Sequence, residues 1–180
     1  ATGLTVREWS VDANTGMLQL ETLDELLSER TALVAMNHAS NIAATVNPVS
    51  DVAERVHAVG GLLCVDGVSY APHARVDVGE LGCDMYRYSA YKTFGPHVGM
   101  MYVNDAVAGD MANQGHFFNQ DSATGRLVPA GPNHAEIAGC AGVMAYYDAV
   151  HAHHFDNPAD DDVALVRDVF GLFGSHEASV

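Results

Sequence analysis

The sequence predicts an α/β layered domain built on a largely parallel sheet. Apolar runs of strand length alternate with amphipathic helical stretches, the βαβ order that lays strands side by side in one direction. Two of those runs, residues 31–37 and 62–66, are nearly continuous in apolar residues, as strands buried on both faces are. Three polar stations follow where runs of this kind stop: Asn37-His38-Ala39-Ser40-Asn41, Asp66-Gly67-Val68-Ser69 and Ser89-Ala90-Tyr91-Lys92. In parallel sheets, ligands bind beyond the carboxyl ends of the strands.

Taken in order, residues 5–9 read as a strand, and Asp12 to Gly16 as a turn. Residues 18–29 carry Leu20, Leu23, Leu26 and Leu27 at helical spacing, which gives one apolar face. After the strand at 31–37, Pro48 and Ser50 open a helix to about Val59, which Gly60 and Gly61 end. The strand at 62–66 is followed by a short helical turn at 76–81. Further strands are expected at 84–89 and 98–103. A long helix is expected over 134–154, with Ile137, Ala141 and Met144 on one face. An Asp-rich stretch around 158–162 then leads to a final helix at 163–173, which the Asp160-Asp161-Asp162 run caps.

Composition narrows the function classes. At 180 residues the chain is long enough for one domain with a sizeable core. A formal charge of −15, from 23 acidic against 8 basic residues, disfavours nucleic acid and anionic membranes as partners. No apolar run approaches the ~20 residues that span a bilayer, and no secretory signal pattern is visible. Cys64, Cys83 and Cys140 are odd in number and read as small buried hydrophobes of a reducing compartment, so a cytoplasmic location is expected.

Lys92 is the only lysine; the other basic residues are arginines. It sits in a polar, glycine-rich loop, Ser89 to Gly99, after an apolar run. A lysine there can present a nucleophilic amine to a cleft and form a Schiff base with a carbonyl. The alternative is a solvated loop lysine. Asp66 ends a run expected to be buried, where an unpaired charge is costly and a cationic ligand atom would remove that cost. An aldehyde cofactor with a pyridine ring needs this set: a lysine, a carboxylate for the ring nitrogen, and hydroxyl donors for its phosphate, here Ser89 and Tyr91.

At these residues the sequence resembles the class V aminotransferase, or cysteine desulfurase-like, family of pyridoxal-phosphate enzymes. The segments that carry the resemblance are Asn37 to Asn41 with Asn47-Pro48-Val49, Val65-Asp66-Gly67-Val68 through Ala71-Pro72-His73, and Ser89 through Gly99. The Asp66-to-Lys92 spacing is that of the family's ring-nitrogen aspartate and Schiff-base lysine. The resemblance implies a three-layer αβα fold, part of the large domain of a fold-type I enzyme. Residues 1–155 would be that partial cofactor-binding domain, and 156–180 a linker and the start of a C-terminal small domain. Pyridoxal 5′-phosphate would be the cofactor and Lys92 the catalytic residue. Asp66, Ser69, Ser89, Tyr91, Lys92 and Asn41 would contact the cofactor, with Asn41 facing either it or the substrate carboxylate. His73 would be structural. The implied activity is carbon–sulfur cleavage or related chemistry on an amino-acid substrate, by a homodimer.

Three departures bear on the activity more than on the cofactor. Desulfurases usually place glutamine three residues after the aspartate, where this chain has the shorter Ser69. The residue before the lysine is usually histidine and here is Tyr91. A phosphate-binding threonine is expected near Gly131, where Pro132 and Asn133 stand. Family members are roughly twice this length, so the chain is expected to be a fragment. A fold remnant serving as an assembly module without cofactor is the rival reading. A nicotinamide-binding domain is weakened by the lack of a Gly-x-Gly-x-x-Gly motif after a strand. His151, His153 and His154 with Asp148 and Asp156 invite a metal, but a histidine-rich helix end is also favoured by the helix dipole, and no metal is expected.

Overall fold

The computed structural model describes residues 3–129 and 131–180. Four strands form one sheet in the order β1-β2-β3-β4: β1 (Leu33–Asn37), β2 (Leu62–Asp66), β3 (Met85–Ser89) and β4 (Gly99–Val103). The chain divides into two compact units: the first runs to Tyr70 and takes in Asp77–Tyr86, the second holds Ala71–Val76 and Arg87–Val180, so β3 is split between Tyr86 and Arg87. Helices are interleaved with the strands in the expected α/β order.

The first unit holds β1, β2, the head of β3, and helices α1 (Leu20–Leu26), α2 (Val49–Ala58) and α3 (Val78–Leu81). β1 and β2 run parallel, with Leu33 opposite Leu62 and Asn37 opposite Asp66. β3 runs parallel to β2, because Asp84 at its head donates its backbone N–H to Leu63 near the head of β2 at 3.1 Å. The Asp84 carboxylate is buried and accepts from the Leu63 N–H at 2.7 Å and pairs with His57 Nε2 at 2.9 Å, which fixes the two strand starts.

α2 forms because Val49, Val52, Ala53 and Val56 recur at helical spacing and are all buried, while Asp51 and Glu54 face water. That face packs on β2, where Leu63 and Val65 point inward. Gly60 takes a left-handed φ of 78° and Gly61 donates back to Val56 O at 3.0 Å, the expected stop. Asp77 caps α3 through the N–H groups of Gly79 and Glu80, and Gly82 (φ 65°) closes it. The Arg55–Asp24 ion pair lies at the surface, where such pairs contribute little.

The second unit holds the rest of β3, β4 and four helices: α4 (Asp105–Asp110), α5 (His134–Gly139), α6 (Ala141–His154) and α7 (Asp162–Glu177). The connection from β3 to β4, residues 90–98, is shorter than the roughly dozen residues a parallel crossover needs, so β4 returns antiparallel. α6 and α7 bury Tyr147, Leu165 and Val169 against Val143, Met144, Phe170 and Phe173. Asp161 caps α7, accepting from Ala164 N at 2.7 Å. His151 is buried in the same unit, stacked on Phe155 with ring centroids 4.5 Å apart and 3.2 Å from Asp168.

Four expectations are corrected. Residues 5–9 form no strand: Val6 is 92% exposed, and the segment is tied down by Trp9 Nε1 donating to Gln19 O and Arg7 donating to Leu26 O. β1 is not buried on both faces, because it is an edge strand whose Leu33 is 51% exposed. The helix expected over 18–29 shrinks to α1, since Ser28 and Thr31 bond each other's backbone and turn the chain. The helix over 134–154 breaks at Cys140, whose N–H is shared between Glu136 O and Ile137 O. α4 was not expected at all. It is a six-residue helix with no apolar stripe, started by the Asn104 side chain accepting from Val107 N.

Candidate functional site

The six sequence-identified residues fall three to a unit: Asn41, Asp66 and Ser69 in the first, Ser89, Tyr91 and Lys92 in the second. In the first unit, parallel register brings the ends of β1 and β2 side by side. His38 extends the ladder one step, its N–H donating to Asp66 O at 2.8 Å. Asn47 reinforces the end of β1: its N–H donates to His38 O at 2.8 Å and its side chain to Asn37 O at 2.9 Å.

Asp66 is the last residue of β2. Its Oδ1 accepts from Val68 N at 3.0 Å, so the carboxylate folds over the turn that follows. Ser69 lies half-buried in that turn, which Tyr70 N closes onto Gly67 O at 3.0 Å. Gly67 is forced by packing: a Cβ there would sit 2.1 Å from the ring of Tyr86. Gly67→Ala is therefore expected to destabilise the protein by about 3 kcal/mol, the upper range for overpacking a tight site, measured by urea unfolding. Asn41 is exposed in the loop 41–43 that Ser40 Oγ organises by accepting from Ala43 N at 3.1 Å.

A buried histidine lies beside Asp66. His38 is 4% exposed, stacked on Tyr70 with ring centroids 3.5 Å apart, and its Nδ1 is 2.9 Å from Tyr86 Oη. Burial drives its pKa down to about 4 and raises that of the Tyr86 hydroxyl. Neutral imidazole beside a protonated phenol makes Tyr86 the natural donor and Nδ1 the acceptor. The pH consequence has a definite sign. The unfolded chain binds a proton near pH 6.5 and the folded one only near pH 4, so stability falls as pH drops across that window. The contribution is about 3 kcal/mol at most. Urea midpoints between pH 7 and pH 4 are expected to fall less steeply in His38→Phe than in the parent chain.

In the second unit, Ser89 ends β3 and Ala90–Thr93 form one 3-10 turn that carries Tyr91 and Lys92. That turn is closed at one carbonyl: Ala90 O accepts from Gly95 N at 2.8 Å, from Thr93 Oγ1 at 3.0 Å and from the Phe94 N–H. Ala90 N donates to Val98 O at 2.9 Å, which ties the two ends of the loop together. Phe94 adopts a left-handed φ of 67°, unusual for a bulky residue and costing about 1–2 kcal/mol. Its ring packs on Tyr146 and Phe173 at centroid distances of 4.7 and 5.7 Å, contacts worth about 0.5–1.5 kcal/mol each, which offset that cost. Gly95 is confined, since a Cβ would lie 3.0 Å from both Ala90 O and Val143 Cγ2. Strained backbone held by over-determined packing is concentrated at functional sites.

Lys92 is half-buried on this rigid turn. Tyr91 is exposed and stacks on His97 at 4.7 Å, with 12° between the rings. The Ser89 hydroxyl does not cap the turn that follows it. His73 pairs with Glu177 at 2.9 Å. Among the described residues, no group of three or more His, Cys, Asp or Glu is placed to hold a metal. None of the described helices is long and apolar enough to cross a membrane.

The available groups are one amine, one carboxylate at a strand end, several hydroxyls and one amide. They fit an aldehyde-bearing pyridine phosphate in kind: amine to aldehyde, carboxylate to ring nitrogen, hydroxyls to phosphate. Residues 1–164 match the family described as aminotransferase class-V. The chain is 45% identical over 121 residues to the aminotransferase-like protein FGM3 of Gibberella zeae, covering 66% of this chain and 30% of that one. It is 36% identical over 152 residues to the cysteine desulfurase-like protein ustD of Aspergillus flavus, covering 80% and 35%. A solved NifS-like protein superposes with a TM-score of 0.68 at 26% identity, covering 84% of this chain and 44% of that one. The chain thus spans about a third of the length of these curated relatives.

Proposed function

This chain belongs to the class-V aminotransferase family, and on that premise we propose that it is part of a pyridoxal-phosphate-dependent enzyme acting on an amino acid, with Lys92 as the covalent anchor of the cofactor. Enzymes of this family depend on pyridoxal 5′-phosphate. When bound, the cofactor supplies a protonated ring that draws electrons away from the substrate carbon beside its amine. The reaction class is carbon–sulfur cleavage or a related change at the α or β position, carried out by a homodimer. Residues 1–155 supply cofactor binding, and 156–180 lead toward a smaller domain.

Each residue has a role its chemistry allows. Lys92 Nζ would hold the cofactor at its aldehyde, and as a free amine it would take a proton from the substrate α-carbon and return one. Asp66 accepts the hydrogen bond of the ring nitrogen and keeps it protonated. Ser89 and Tyr91 donate to the phosphate. Ser69 would contribute a short hydroxyl to the cofactor's side of the turn. Asn41, exposed on its loop, meets the cofactor rim or the substrate carboxylate.

The observation that supports this best is the setting of the chain's only lysine, half-buried on a turn closed at Ala90 O and braced by a strained Phe94. A solvated loop lysine needs none of that rigidity. Saturating the protein with pyridoxal 5′-phosphate is expected to give a near-visible absorption band that borohydride removes. A protein that stays colourless at saturation is instead a fold remnant without cofactor.

A further inference from the structure

We propose that His38 and Tyr86 form a positioning pair for Asp66, clamping the end of β2 and the turn beyond it so that the carboxylate keeps one orientation. This rests on the reading of Asp66 as the partner of the cofactor ring nitrogen, but the clamp itself involves only residues of the first unit.

Four contacts converge on the Asp66 turn. The His38 N–H holds the Asp66 carbonyl at 2.8 Å from the side of β1. The Tyr86 ring lies so close over Gly67 that no Cβ fits, which presses the backbone next to Asp66 from the side of β3. The hydrogen bond of 2.9 Å between His38 Nδ1 and Tyr86 Oη joins these two supports across β2. Tyr70, which closes the turn through Gly67 O, stacks face to face on His38. His38 and Tyr86 are both buried, with 4% and 2% of their surface exposed.

A polar pair in such a place needs a reason, because two apolar side chains could fill the space without a buried hydrogen bond to satisfy. What the pair adds is direction. A hydrogen bond between fixed rings sets the separation of β1 and β3 at the level of Asp66, and with it the tilt of the turn. Asp66 Oδ1 is held by Val68 N in that same turn, so an error in the turn becomes an error in the carboxylate. Neither His38 nor Tyr86 is assigned contact with substrate or cofactor.

The test uses Tyr86→Phe, which keeps the ring over Gly67 and removes the hydroxyl. Amide hydrogen exchange of the protein without cofactor is followed at Val68 and at Val52, whose N–H bonds Pro48 O in the buried face of α2. Loss of one buried hydrogen bond is expected to speed exchange at Val68 about fivefold and to leave Val52 unchanged. Affinity for pyridoxal 5′-phosphate is expected to fall by a similar factor. The double variant Asp66→Asn with Tyr86→Phe is expected to bind no more weakly than Asp66→Asn alone, because both act through one carboxylate. His38→Phe is expected to reproduce the exchange result from the other side of the bond, and if it fails to fold, Tyr86→Phe decides alone. Unchanged exchange at Val68, equal acceleration at Val52, or affinity losses that multiply in the double variant overturn the proposal. If the parent chain binds no cofactor, the reading of Asp66 as a cofactor ligand fails, and the exchange data still decide whether the clamp exists.

Discussion

Lys92→Ala is expected to abolish the near-visible band of the cofactor-saturated protein and the borohydride-trapped adduct on the peptide around residue 92. No second lysine exists to substitute for it. Loss of proton transfer alone is expected to lower turnover of an amino-acid substrate by roughly 10²–10⁴-fold, and loss of the covalent anchor adds to this. The fold should survive. Lys92 is one residue of a turn whose closure runs through Ala90 O, Thr93 and Gly95, none of which uses the lysine side chain. Thermal unfolding within about 0.5 kcal/mol of the parent, typical of substitutions away from packed features, would separate lost chemistry from lost structure. A variant that keeps the band contradicts the assignment.

Asp66→Asn is expected to have the next largest effect. Asparagine matches the carboxylate in shape and can still accept from Val68 N, so the turn beyond β2 persists. What disappears is the negative charge. A hydrogen bond to a charged group contributes about 1.5–3 kcal/mol against about 1 for a neutral pair. Cofactor affinity is therefore expected to fall roughly 2- to 30-fold. Substrate turnover should fall with it, because the ring nitrogen is no longer kept protonated. Titration with pyridoxal 5′-phosphate, followed by absorbance, measures the loss directly. An Asp66→Asn protein that binds and turns over like the parent would remove Asp66 from the site.

The sheet was legible because its strands obey simple rules. Leu62 to Asp66 is found with the bounds its apolar run suggests, and α2 stops at the glycine pair that marks its end. Failures came where local pattern lacked a tertiary partner. The alternation at residues 5–9 resembles a strand, but no neighbouring strand takes up its backbone, and Val6 stays in water. The break at Cys140 depends on one N–H shared between two carbonyls, which composition does not announce.

The same division applies to the candidate site. Lys92, Ser89 and Asp66 were visible because they interrupt or end apolar runs, and their placement at the ends of β3 and β2 follows from those runs. The supports were not visible. Tyr86 reads as an ordinary strand aromatic, and only its closeness to Gly67 and its bond to His38 give it a role. Phe94 gives no sign in sequence of its left-handed backbone, a position where glycine is the usual choice. His38 lies within the Asn37-to-Asn41 motif, yet its significance lies in contacts with Tyr70 and Tyr86, far along the chain.

Lys92 is the residue proposed to carry the cofactor. The most direct measurement is peptide mapping by mass spectrometry after the cofactor-saturated protein is reduced with borohydride. Within this chain Lys92 is the only lysine, so an adduct on any other amine falls in a different peptide. The expected result is one reduced adduct, on the peptide containing Lys92. An adduct confined to any other peptide, or no adduct at saturating cofactor, would contradict this assignment.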